Sequence, residues 1–167
     1  MTPQPFDILS CQGSSLISKG IRLFTGSRTT HTAQVVSAWG QLYIIDAQKN
    51  GVNPKPFDEW VKKYNYKYTI HRPELEKLNV NEKQFNIRAF SKSGVKKYDF
   101  FSLFVRQPLF IITGKWIGKK SWDDEKFYCS DYVGWLWYVP KFWQKSPVQL
   151  EKYLDNNSNF KRIENEN

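Results

Sequence analysis

Two cysteines and two histidines, Cys11, Cys129, His31 and His71, confine the reactive chemistry of this 167-residue chain to a few combinations. Cys129 opens an apolar run containing Tyr132, Val133, Trp135, Leu136 and Trp137. The run reads as a buried helix from Cys129 to Tyr138, stopped by Pro140. A thiol at a helix N-terminus meets the positive end of the macrodipole and free backbone N–H groups, and both favour thiolate over thiol. The same N–H groups can hold an oxyanion. Asp131 opposes part of this effect, because a nearby negative charge raises a thiol pKa. Free cysteines are also commonly small core residues, and that reading stands beside the nucleophilic one.

His31 begins a β-rich run after the polar turn Thr25 to Thr30, and Asp46 ends the next run. An antiparallel hairpin sets the start of one strand beside the end of the next, so the hairpin itself brings His31 and Asp46 together. A carboxylate there accepts an imidazole N–H and holds the ring's tautomer and orientation, the third role in a nucleophile–base–orienter set. A plain turn aspartate before Gln48-Lys49-Asn50-Gly51 is the competing reading. His71 lies inside an expected strand and is assigned a structural role. Cys11, after the first strand, is the lesser nucleophile candidate. The positions 11, 31, 71 and 129 hold no close pair of the CxxC or HxxxH kind, so no metal site is assigned. Gly114 to Lys120 is the nearest approach to a phosphate loop, but its glycines are one residue too close and Lys120 stands where Ser or Thr is needed. No cofactor is assigned.

The elements that must position these groups follow from pattern. Phe6 to Ser10, His31 to Trp39, Gln41 to Ala47 and Tyr66 to Arg72 read as strands, with Gly40 as a hairpin signal and a short strand at Gly51 to Asn53. Residues 15–24 place Leu16, Ile17, Ile21 and Phe24 on one helix face. Pro56 introduces a turn or two of helix at Phe57 to Val61. Further helices are expected at about 82–92, behind the Asn81 to Gln84 cap signal, at 99–107, and after Ser146-Pro147, with Ser as N-cap and Gln149 at the reach-back position. Phe160 to Ile163 reads as an edge strand. The sum is one α+β domain over 1–163, a small antiparallel sheet packed against helices, with a frayed polar tail at 164–167.

Composition sets the outer limits. Aromatic residues make up 17 % of the chain, which excludes disorder as the main state. The most apolar stretch, Leu103 to Ile112, is too short for a membrane span of roughly 20 residues and contains Arg106, Gln107 and Pro108. The N-terminus has no basic stretch followed by an apolar one, so the expected location is cytoplasmic. The net charge of +9 favours anionic partners such as nucleic acid or lipid headgroups, although scattered lysines are also what an ordinary solvated surface requires.

The order His31, Asp46, Cys129 resembles the circularly permuted branch of the NlpC/P60 papain-like superfamily, in its YiiX/YebB-like, orthopoxvirus-related group. Phe6-Asp7-Ile8-Leu9 resembles that group's opening Gly-Asp-Ile strand, and Thr25 to Ala33 the segment around its histidine. Tyr43 to Ala47 with Gly51-Val52 resembles the strand carrying the third polar residue. Arg72-Pro73, Lys97-Tyr98-Asp99, Tyr128-Cys129-Ser130-Asp131 and Ser146-Pro147 with Leu150 follow in the same order. The resemblance covers nearly the whole chain. It departs at Phe6, where the group has glycine, at Asp131 for Glu, and at Asp46, where many relatives have Glu.

The resemblance implies a permuted papain-like fold with Cys129 as nucleophile, His31 as general base, Asp46 as orienter and Tyr98 lining the substrate site. The expected activity is a thiol hydrolase or acyltransferase on an amide or ester bond, with peptide, peptidoglycan or lipid acyl groups as substrate classes. The alternative is a basic papain-like domain that has lost its chemistry and binds a polyanion, either nucleic acid or anionic lipid.

Overall fold

The computed structural model describes residues 2–13, 16–64, 67–94, 98–118 and 126–164. Its centre is a six-stranded antiparallel sheet in the order β4-β3-β2-β1-β5-β6. The strands are β1 (Ile8–Gln12), β2 (His31–Ala38), β3 (Gln41–Gln48), β4 (Gly51–Pro56), β5 (Lys67–Pro73) and β6 (Phe160–Ile163). The helices are α1 (Leu16–Thr25), α2 (Phe57–Tyr64), α3 (Leu75–Leu78), α4 (Glu82–Phe90), α5 (Gln107–Thr113), α6 (Cys129–Leu136) and α7 (Pro147–Asp155). The α+β reading therefore holds, and the six strands read from the sequence are the six of the sheet, with β4 running to Pro56 rather than Asn53.

The β2–β3 register runs from Gln34 opposite Ile45 to Ala38 opposite Gln41. This leaves Trp39 and Gly40 as a two-residue turn, both at positive φ (50° and 77°), the geometry whose twist matches that of the strands. Period-2 alternation then divides the core. Ile8, Val36, Ile45, Ala47 and Val52 face α4, α6 and α7 with Tyr132, Leu136 and Leu150. Leu9, Ala33, Val35, Ile44 and Ile70 pack with Trp60 of α2 on the other side.

Phe6 has a left-handed φ of 75°, a conformation that glycine adopts without steric cost and other residues adopt only where packing holds them. The phenylalanine is retained by packing: it is buried, with its ring edge-on to Phe85 at 5.0 Å. The next residue, Asp7, is fully buried and takes two bonds from Arg72 on β5, Nε to Oδ1 at 2.9 Å and Nη2 to Oδ2 at 2.8 Å. Two of the sequence motifs are thus the halves of one ion pair between β1 and β5.

The helix expected at 99–107 differs in form. Ser102 to Arg106 is a π-helical turn that runs directly into α5, so the helical segment extends to Thr113. Pro108 marks a helix start here rather than a stop, being tolerated in the first turn of α5. Of the polar tail, Glu164 bonds to Arg162 Nε at 2.6 Å, while 165–167 lie outside the described residues.

Candidate active site

Cys129 is the first residue of α6. Its preceding residue, Tyr128, is extended (φ −103°, ψ 170°) and supplies no side-chain cap, so the helix N-terminus keeps its donors for other acceptors. Three bonds pin this start in place. Gln107 Nε2 donates to the Tyr128 hydroxyl at 2.8 Å, that hydroxyl donates to Trp143 O at 2.9 Å, and Ser130 Oγ donates to Lys145 O at 2.8 Å. Asp99 N donates to Phe127 O at 3.2 Å and draws Tyr98 alongside, where its hydroxyl bonds with Cys129.

His31 starts β2. Its Nε2 lies 2.8 Å from Asp46 Oδ2 on β3, which leaves Nδ1 as the ring nitrogen for Cys129, its other hydrogen-bond partner. Continuing the β2–β3 register would set His31 opposite Gln48 and diagonal to Asp46 on the same face, within reach of long side chains. Asp46, despite its short arm, reaches the ring because it is itself held. Gln48 Nε2 (2.6 Å) and Trp60 Nε1 (3.1 Å) donate to Oδ2, and the Lys55 ammonium stands 3.7 Å from Oδ1. Cys129, His31 and Asp46, separated by up to 98 positions in sequence, thus form one connected chain of polar contacts.

The electrostatics favour an ion pair. Burial pushes the Cys129 thiol up. The His31 imidazolium, its hydrogen bond, and the backbone N–H groups of Thr32 and Ser130 outweigh burial and hold the thiol below its ordinary value. Burial likewise works against the His31 imidazolium, yet the Cys129 thiolate and Asp46 raise it to about 10. For Asp46, burial is outweighed by the His31 bond and charge, by Lys55 and by Gln48, so the carboxyl lies below its usual range. Tyr98 is pushed far up by burial and by Cys129, so its hydroxyl stays protonated.

These directions fix a pH window. The thiolate–imidazolium pair forms as pH rises through the lowered Cys129 value and is lost as pH rises through about 10, where His31 gives up its proton. The stability that the raised His31 contributes is complete below its ordinary 6.5 and is lost toward that same alkaline value. That from Asp46 is present above the ordinary carboxylate range and fades as pH falls through its lowered one. Ultraviolet thiolate absorbance at neutral pH is expected in the native protein and not in His31→Ala. Equal absorbance in both would mean that the imidazole does not stabilise the thiolate.

The remaining candidates separate clearly. Cys11 is fully buried, its thiol donates to Leu9 O, and burial raises its pKa well above the usual value. His71 is also buried, between Ser10 Oγ (3.3 Å from Nδ1) and Asp155 Oδ1 (2.9 Å from Nε2), where it ties β1 and β5 to α7. Gln48, Lys55 and Trp60 were not singled out from sequence. Gln48 has a sequence signal, two residues beyond Asp46 and so on the same strand face. Trp60 approaches from α2 and has none.

Cys129 has no exposed surface, whereas the His31 side chain keeps 11 % of its own. Among the described residues, no helix is long and apolar enough to cross a membrane.

No family model matches the chain, and no curated protein matches it. Among solved structures, the crystal structure of the metalloprotein YiiX from Escherichia coli O157:H7 superposes with a TM-score of 0.65. The match covers 98 % of each chain at 20 % identity. At that identity the likeness is one of fold: the chain has the YiiX architecture from end to end, which fits a papain-like fold.

Proposed function

We propose that the protein is a cysteine-dependent hydrolase or acyltransferase acting on an amide or ester bond. The observation that carries this reading is the contact of Cys129 with the far side of an imidazole already bound to Asp46. In the proposed reaction the Cys129 thiolate attacks the carbonyl carbon, forming a C–S bond and placing negative charge on the carbonyl oxygen. The Cys129 N–H and the Tyr98 hydroxyl, which already bond to each other, are the donors for that oxyanion. Collapse of the tetrahedral species breaks the C–N or C–O bond, and the His31 imidazolium gives its proton to the departing amine or alcohol. Neutral His31 then takes a proton from water or another acceptor as it attacks the thioester. The thiolate leaves, and the ion pair is restored. Asp46 holds the ring with Nδ1 toward sulfur throughout.

Peptide, peptidoglycan and lipid acyl groups all present such a carbonyl. The metal of the structural neighbour does not carry over on the residues described here. No group of three or more His, Cys, Asp or Glu among them converges on a point, and His31 stands between Asp46 and Cys129 rather than beside them around a shared centre.

The burial of Cys129 implies that substrate entry follows an opening step. Labelling by a panel of ester- and amide-derived thiol electrophiles, followed by peptide mapping, is expected to modify Cys129 and spare Cys11. The rate is expected to level off at high probe concentration, where opening becomes limiting. Modification of Cys11 alone, or of neither thiol, would remove the reading.

A further inference from the structure

The segment from Phe101 to Ile117 is amphipathic in the inverted sense. Its inward residues include the polar Ser102 and Gln107, both fully buried, while Phe101, Val105, Leu109 and Ile112 point outward at spacings of four, four and three residues. These four are 59, 38, 38 and 80 % exposed, and Ile117 beyond the helix is 55 % exposed. Helix α1 lies against this segment, with Gly20 beside the Phe104 ring, and adds Leu23 at 83 % exposure. A contiguous outward apolar face of this kind marks an interaction surface.

Charge identifies the partner. The sequence contains no Asp or Glu from Ile8 to Ile45 and none from Phe100 to Trp122. Those two stretches carry Lys19, Arg22 and Arg28, and Arg106, Lys115, Lys119 and Lys120, seven of the 25 lysines and arginines of the chain, of which Arg106 pairs with Asp99. Lys19, one turn from Leu23, is exposed, as are Arg28 and Lys115. The small cavity of about 20 Å³ beside this segment is lined by Leu103, Gln107, Pro108 and Ile111 with Ser146 and Pro147 at the start of α7, and Phe101, Val105, Leu109 and Ile112 take no part in it. An exposed apolar face with exposed lysine and arginine on its two segments fits the headgroup and upper acyl region of an anionic bilayer.

We propose that this face docks the protein onto anionic phospholipid membranes. The face continues into the candidate site. The ring of Phe100 packs on that of Tyr98 at 4.7 Å, and Tyr98 touches Cys129. Docking therefore turns the Tyr98 side of the buried thiol toward the membrane. If the cysteine chemistry proposed above holds, the acyl group comes from a lipid in that membrane; the docking itself does not depend on that chemistry.

Co-sedimentation with phosphatidylcholine vesicles, with and without phosphatidylglycerol, tests this. The native protein is expected to bind the anionic vesicles, less tightly at high salt, and to bind neutral vesicles much more weakly. Phe101→Glu/Ile112→Glu is expected to lose about tenfold or more in affinity, because each change removes inserted apolar area and adds a charge repelled by the surface. Ile112→Glu alone serves if the double variant does not fold by circular dichroism. Cys129→Ala is expected to bind as the native protein does, so failure of the chemistry and failure of docking are read separately. Native protein that ignores anionic vesicles, glutamate variants that bind them unchanged, or a self-association that Ile112→Glu breaks without any vesicle binding would each overturn the proposal.

Discussion

Alanine at position 129 is expected to lower turnover of any ester or amide substrate by about 10⁴-fold or more, as loss of the nucleophile does in related acyl-transfer chemistry. The domain should remain folded. Cys129 is a small side chain at a helix start, and Tyr128 and Ser130 anchor that start independently of it. The cavity left by one sulfur costs about 1 kcal/mol. A second readout separates loss of a nucleophile from a general disturbance. His31 is held at about 10 chiefly by the Cys129 thiolate, so in Cys129→Ala its titration by NMR should move down toward the ordinary histidine range. Turnover preserved in the alanine variant would eliminate the proposed chemistry. An unmoved His31 titration would mean that the two groups are not paired in solution.

The largest expected effect on stability lies far from the thiol. Arg72→Ala removes both bonds to Asp7 and leaves a carboxylate of zero exposure to which the Gln4 N–H still donates at 2.7 Å. Removing one partner of a buried pair typically costs about 3 kcal/mol or more, because the other charge is stranded away from water. For a domain of this size that corresponds to a fall in Tm of roughly 10 °C. Arg72 is itself a quarter exposed, so water can relieve part of the cost. Asp7→Asn placed in the Arg72→Ala background should recover some of the loss by removing the stranded charge. Thermal melts of the two single variants and the double variant measure this. Additive losses would show that the pair is not coupled.

Local chemistry made much of the fold legible. Ser146 accepts from Gln149 N while the Gln149 side chain accepts from Ser146 N, and Asn81 accepts from Gln84 N, as their residue types imply. The β2–β3 hairpin and its turn at Gly40 follow from two β-rich runs with glycine between them. Where the reading fell short, neighbours in space outweighed neighbours in sequence. The helix expected at 99–107 continues past its expected end, because a π-helical turn leaves Pro108 in the first turn of a further helix that runs to Thr113. Asp7 and Arg72 looked like two separate motifs, and only the β1–β5 pairing joins them.

The candidate site divides along the same line. The sequence by itself determined which groups were available: one thiol at a helix start, one imidazole at a strand start and a carboxylate one hairpin away. Those placements depend on turns, caps and strand pairing, which act over a few residues. Only the tertiary structure decided that Cys129 meets His31, that Trp60 and Lys55 complete the setting of Asp46, and that the sulfur is buried. Each of these depends on how α2 and α6 pack on the sheet. Packing is set by shape and area buried between distant segments, quantities that no local window of sequence contains. The outward apolar face of α5 is of the same kind, since only the fold shows which side of that helix is inside.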